Sequence, residues 1–141
     1  MGTRLQLLTN LFTHSSVLSS YDIHHRSGLT RSAMQKSDNC IWKSRLSLST
    51  KLKLYNVCIL PIMLYGSESW APSRVDARKV DALDQWCLRR ILDIRWYHRV
   101  SNCEVRRLTE QPPLTWIIQK RRLTLFGHLS EWTSRQTPGE F

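Results

Sequence analysis

Asp81 and Asp84 are the carboxylates whose spacing comes closest to a metal-binding or acid–base pair, since three residues apart they lie near one helix face. Their neighbours Arg78, Lys79, Arg89 and Arg90 better suit a solvated helix carrying i,i+4 ion pairs, and that is the expectation here. His24 and His25 are adjacent and point apart, and His14, His98 and His128 have no carboxylate or Cys at ligand spacing. Ser67, in Tyr65-Gly66-Ser67-Glu68-Ser69-Trp70, has the outline of a nucleophile turn but lacks the second Gly of a hydrolase elbow and ordered Asp and His partners. The four Cys, at 40, 58, 87 and 103, are too dispersed for a zinc knuckle or a disulfide framework and read as free thiols of an intracellular protein, nuclear or cytoplasmic. No phosphate loop, dinucleotide fingerprint or zinc-protease motif occurs. The expectation is no catalytic residue, no metal, no cofactor and no small-molecule substrate.

Basic side chains carry the stronger signal. Lys51 and Lys53, Arg89 and Arg90 with Arg95 and Arg99, Arg106 and Arg107, and Lys120-Arg121-Arg122 each stand beside apolar or aromatic residues. Such groups on helices bind phosphates through counterion release, and Arg can fork onto phosphate oxygens. In 141 residues, 21 Lys and Arg face 11 Asp and Glu, a net charge of +10 that exceeds what solubility requires. The bland reading of the same residues is a solvated outer surface. An apolar content of 41% supports a core and argues against a disordered tail. The longest apolar stretch, Leu54 to Tyr65, is interrupted by Asn56 and Pro61 and falls short of the roughly 20 residues a bilayer requires.

The elements that must position these groups are helical. A helix is expected from Asp22, as N-cap, towards Trp42, although Ser27, Gly28, Ser32 and Ser37 weaken its body. Ser49 or Thr50 can cap a second, apolar nearly all round, with a kink at Pro61 and a stop at Gly66. Ser73 with Asp76 opens a third, whose Val80, Leu83, Cys87, Ile91 and Ile94 recur at steps of three and four. Ser101 with Glu104 opens a short fourth that must end before Pro112 and Pro113. A last helix runs from about Leu114 to His128, with Leu114, Ile117, Ile118, Leu125 and Leu129 as its stripe. The class is all-α, a small irregular bundle of about four to five helices. Six scattered Trp are expected to serve as its packing anchors.

Several runs together resemble non-LTR (LINE-type) retrotransposon reverse transcriptases, in the region after the polymerase palm. They are Ile41-Trp42-Lys43-Ser44-Arg45, Thr50-Lys51-Leu52-Lys53-Leu54-Tyr55, Leu60-Pro61 and Leu64-Tyr65-Gly66-Ser67-Glu68-Ser69-Trp70, followed by Gln85-Trp86-Cys87-Leu88-Arg89-Arg90-Ile91-Leu92 and Ile94-Arg95-Trp96. Ser101-Asn102 with Glu104, and Arg121-Arg122 with Phe126-Gly127-His128, extend the series over roughly Asp22 to Trp132. The resemblance implies a thumb and following helices that grip the backbone of an RNA–DNA duplex. Lys51, Lys53, Arg89, Arg90, Arg121 and Arg122 are the candidate phosphate contacts. Tyr65, Gly66, Trp70 and Trp96 are implied to be structural, with Gly66 letting the chain turn and the aromatics closing the core.

Departures from the pattern bear on function. The family's polymerase carboxylates, its fingers and its endonuclease are absent, so two catalytic metal ions cannot be held here. Ser27 and Ser37 stand where the family has aliphatic core residues, and Glu131 where it commonly has Arg. The organisation expected is a poorly ordered segment over 1–20, a thumb-like helical region over 21–132 and a flexible tail over 133–141. The functional expectation is a non-catalytic C-terminal fragment of a LINE-type reverse transcriptase that binds the backbone of an RNA–DNA hybrid or RNA. Two alternatives stay open: a stand-alone helical protein-interaction module, and an inert translated remnant of the element.

Overall fold

A computed structural model describes the backbone of residues 2–136 and the side chains of Gln6, residues 17–128 and Glu131. Six α-helices alternate with short helical turns, and no strand occurs among the described residues, so the chain is all-α. Helix α1 spans Gly2–Lys36 and is followed by a π-helical turn, Asp38–Trp42. Helix α2 (Leu48–Leu54) runs through a second π-helical turn (Tyr55–Ile59) into α3 (Leu60–Leu64), and a 3-10 turn (Ser67–Ser69) leads to α4 (Arg74–Ile91). Helices α5 (Asn102–Thr109) and α6 (Leu114–Gln136) complete the fold. Helix α4 is the hub, touching α1, α2, α5 and α6, while α1 also packs on α3 and α6 on the 3-10 turn.

Local chemistry accounts for most helix ends. Ser73 Oγ accepts from the Asp76 backbone N–H at 3.2 Å and donates to the Asp76 carboxylate at 2.9 Å, starting α4. Ser101 does the same for the Glu104 N–H at 3.2 Å, starting α5. Each satisfies a donor that the first turn leaves orphaned. Gly66 stops the preceding helical run at φ +74°, a left-handed conformation that costs glycine nothing. Helix α2 is capped by Ser47, not by Ser49 or Thr50, with the Thr50 N–H reaching Ser47 Oγ at 3.4 Å. Pro61 opposes the carbonyl of Val57 and removes one N–H. The wider π-helical turn just before α3 takes up that clash, so the expected disturbance falls upstream of the proline.

The first helix differs most from expectation. It begins at Gly2, so Asp22 is interior to it, and its carboxylate accepts from Trp70 Nε1 at 2.7 Å. Polar residues persist inside α1 because they bond back to the helix: Ser27 Oγ donates to Ile23 O at 2.7 Å and Thr30 Oγ1 to Arg26 O at 2.8 Å. Ser27 therefore carries no orphan hydroxyl where an aliphatic residue was expected. Ser19 Oγ accepts from the Ala71 N–H at 3.1 Å and Ser20 donates to Asp76, so the serine-rich segment is a docking surface for the start of α4. At the other end α6 continues through Gln136, and 137–141 of the expected tail lies outside the described residues.

The core gathers Met34, Trp42, Tyr55, Met63, Leu64, Trp70, Val80, Leu88, Val105 and Leu114. Trp42 and Trp70 act as the expected anchors, each buried with its indole N–H satisfied, Trp42 by Met34 O at 3.0 Å. The stripe of α4 buries Val80, Leu83, Cys87 and Ile91 as the spacing predicts, while on α6 Leu114 and Ile118 are buried and Leu125 is exposed. The side chains of Leu129 and Trp132 lie outside those described.

Asp81 and Asp84 overturn the solvated ion-pair expectation. Asp84 is 2% exposed, accepting from the Tyr55 hydroxyl at 2.6 Å and pairing with Arg106, which also donates to Pro112 O at 3.1 Å. Asp81 caps α6, accepting from the Thr115 N–H at 3.2 Å and its hydroxyl at 2.9 Å. Both carboxylates join helices; neither pairs along its own. Burial raises the Asp84 carboxyl above its ordinary value against the opposing pull of Tyr55 and Arg106, and burial beside Asp84 raises the Tyr55 phenol well above its own.

Two predictions follow from this packing. Asp84→Ala leaves a mostly buried guanidinium and a buried hydroxyl without their acceptor, so urea unfolding should show a loss of about 3–5 kcal/mol. Tyr55→Phe, which removes one hydrogen bond and keeps the ion pair, should lose only about 1–2 kcal/mol. Equal losses in the two variants would contradict this account of the hub. The thiols give a second check: Cys40, Cys58 and Cys103 are exposed, whereas Cys87 is buried and its thiol is pushed up to about 12, first by burial and then by Asp84. Ellman titration of the native chain should count three fast thiols, with Cys87 reacting only in denaturant.

Candidate nucleic-acid interface

The candidate phosphate contacts divide into two groups with different surroundings. The first surrounds the C-terminal end of α4. Arg89 and Arg90 occupy its last turn, where the exposed helix carbonyls favour cations. Beyond them Asp93 adopts a left-handed conformation (φ 54°), and the Ile94 N–H returns to Arg89 O at 2.8 Å, turning the chain out of the helix. Lys43, Arg89, Arg90 and Arg95 converge with Asp38, Asp93 and Ile94 around an open recess of about 350 Å³.

Within this group the fold already uses several of the cations. Arg90 forks onto Asp38 through Nε and Nη2, both at 2.6 Å, and Lys43 Nζ stands 3.4 Å from the same carboxylate. The Arg90 guanidinium also lies 5.1 Å from the Trp86 ring centroid, and Arg31 lies 5.0 Å from it, so this half-buried indole is stacked against two cations. Arg89 Nη2 donates to Val100 O at 2.7 Å and Asn102 Oδ1 at 2.9 Å, tying the chain before α5 back to α4. Lys51 Nζ donates to Trp42 O at 2.8 Å, satisfying a carbonyl at the end of the π-helical turn. Lys53 is exposed on α2, with no partner for its ammonium among the described residues.

The second group is on α6, beside the turn that Gly66 begins. Arg121 Nη1 reaches Leu64 O at 3.4 Å and stands 3.7 Å from Glu68, while Arg122 is half-buried. Lys120 Nζ lies 5.2 Å from the centroid of the half-exposed Trp116. The structure thus brings Lys51, Arg89 and Arg90 to one corner of the bundle and Arg121 and Arg122 to another.

The residues implied to be structural separate in the same way. Trp70 is buried and Gly66 makes its turn, but Tyr65 and Trp96 do not close the core. Tyr65 is exposed beneath the Arg26 guanidinium, 4.6 Å from its centroid, because the chain leaves the helix there and the ring falls outside the buried face. Trp96 is 94% exposed in the connection after α4, out of register with that helix's stripe. Asp38 and Lys43 are the participants that sequence reasoning missed. The link from Asp38 to Arg90 spans 52 residues, and no local spacing signals it. Ser67 is buried, and its hydroxyl has no hydrogen-bond partner among the described residues.

Among the described residues no group of His, Cys, Asp and Glu could hold a metal ion, and no helix is long and apolar enough to cross a membrane. Comparison of the chain with family models, with curated proteins and with solved structures finds no match.

The Asp38–Arg90 fork makes stability depend on acid. Hydrogen bonds and charge from Arg90, with Lys43 behind them, hold the Asp38 carboxyl below its ordinary range despite partial burial. A depressed folded-state value means that the contribution is complete above about pH 4 and is lost as pH falls through the folded value. Asp38→Asn should therefore cost about 1–3 kcal/mol at pH 7. Its deficit relative to wild type should shrink in urea titrations at pH 3. A deficit that stays constant with pH would show that the charge on Asp38 does not contribute.

Proposed function

We propose that this chain is a non-catalytic C-terminal fragment of a LINE-type reverse transcriptase that binds the sugar–phosphate backbone of an RNA–DNA hybrid or RNA through its basic helices. The ordered series of family-like runs supports the origin, and the all-α architecture agrees with a thumb and its following helices. One observation about charge carries the binding half of the reading. Asp22, Asp38, Glu68, Asp76, Asp81, Asp84 and Glu104 each hold a partner within the chain, so most of the negative charge is spent on the fold. Lys36, Arg45, Lys53, Arg95 and Arg99 are exposed and hold no carboxylate among the described residues. These cations face outward, where they attract a polyanion and release its counterions.

A protein-docking reading rests on a different feature. Trp116, Leu123 and Phe126 are exposed along α6, an apolar run that a partner or a missing part of a larger enzyme could cover.

Arg89 and Arg90 are poor sites for testing backbone binding, because their loss also loosens the fold. Lys53→Ala with Arg122→Ala is the better probe. Affinity of the chain for an RNA–DNA hybrid should fall steeply with salt and be indifferent to sequence. The double variant should weaken it and flatten the log–log salt slope by about one per contact removed. Absence of binding at low salt, or binding that ignores salt, would sink the proposal.

A further inference from the structure

Trp96 and Tyr97 stand in the connection between α4 and α5, and they do no packing work there. Trp96 is almost wholly in solvent and Tyr97 more than half so. Their rings meet edge to face at 5.7 Å and 83°, and Tyr97 meets the His98 ring at 4.7 Å and 69°. The connection is closed by other groups. The Arg95 N–H donates to His98 Nδ1 at 3.0 Å, the His98 N–H to Arg95 O at 2.9 Å and the Val100 N–H to His98 O at 2.8 Å. Arg89 clamps Val100 O from α4. A backbone held in this way displays two adjoining rings that the fold itself does not need.

The surroundings indicate what the rings are for. Arg95 and Arg99 flank them, exposed and without carboxylate partners among the described residues, and the recess holding Lys43 and Arg89 adjoins through Arg95. Of the two carboxylates near this site, Asp38 is neutralised by Arg90 and Lys43, and Asp93 is the one left. The required occupant combines flat π faces with regularly spaced negative charge. Duplexes present charge but hide their base faces, whereas unpaired nucleotides present both. We propose that Arg95-Trp96-Tyr97-His98-Arg99 is a base-stacking platform for a single-stranded stretch of RNA or DNA. Trp96 and Tyr97 take successive bases, and Arg95 and Arg99 take the phosphates beside them. The inference rests on the nucleic-acid reading above and extends it from backbone contact to contact with bases.

The test compares two labelled probes of equal length and phosphate count, an oligothymidylate and an abasic strand, by fluorescence anisotropy with the full chain at fixed low salt. Wild type should bind the base-bearing strand about tenfold or more tighter. Trp96→Ala should cut that preference severalfold, to what Tyr97 alone supplies, while leaving abasic binding unchanged, and Trp96→Phe should restore most of it. Circular dichroism and melting should be unaltered in both variants, as the exposure of Trp96 requires. Equal binding of the two strands by wild type would overturn stacking and leave the backbone reading standing, whereas no binding of either would remove both. An unfolded Trp96→Ala chain would overturn the platform by showing that the ring is structural. A preference that the substitution leaves at its wild-type size, or self-association that the substitution abolishes, would do the same.

Discussion

A carboxylate 2% exposed cannot stay charged without partners, and the position of Asp84 at the centre of α4 forces the surrounding chain to supply them. Tyr55 comes from the π-helical turn before α3 and Arg106 from α5, so one buried group fastens two separate segments to the same helix. Arg106 continues to Pro112 O, at the entrance to α6, and Asp81, three residues from Asp84, caps that helix through Thr115. Asp76 takes Ser20 from α1 and Ser73 from the cap of α4 itself. The acidic residues of α4 thus locate α1, α5 and α6 around the apolar stripe that the helix buries, and the stripe supplies the non-directional attraction these bonds orient.

This use of carboxylates shapes the outer surface as well. An acid held inside by a hydroxyl or a backbone N–H neutralises no cation, and one that pairs with a single Arg leaves the remaining basic residues unopposed. Arg90, Lys51 and Arg121 are drawn into the fold by Asp38, Trp42 O and Leu64 O, so proximity in sequence to other basic residues did not make them surface charges. Lys53, Arg95 and Arg99 remain exposed on the surface. The resulting surface is basic in patches, with the rings of Trp96 and Tyr97 at the edge of one of them.

Signals confined to a few residues were legible before any fold was known. The caps at Ser73 and Ser101, the stop at Gly66, the break before Pro112 and the buried spacing of α4 all depend on contacts within about one helical turn. Signals that depend on distant partners were misread. Asp22 suits an N-cap as well as it suits an acceptor for Trp70, and only the approach of residue 70 decides between them. Ser19 and Ser20 have the composition of a loose segment, yet their hydroxyls meet Ala71 and Asp76. Asp81 and Asp84 sit among basic neighbours on their own helix and bond to residues on other elements. For the candidate interface the basic residue types were evident, but their division into structural and outward-facing cations was not. Trp96 was misjudged because an aromatic residue's type gives its packing capacity without its depth.

The sequence by itself determined the helical class, the charge surplus and several helix boundaries, those at Gly66, Ser73, Ser101 and Leu114 among them, because propensity, capping and apolar periodicity act over three or four residues. Tertiary structure alone decided which polar groups the core would absorb. Burying a carboxylate or an indole N–H is tolerable only with a partner in hydrogen-bonding reach, and the partners of Asp84 and Trp70, and Ser20 at Asp76, lie 22 to 56 residues away along the chain. The same selection left Trp96 and Tyr97 in solvent: the backbone and Arg89 close their loop, so nothing in the fold draws the rings inward.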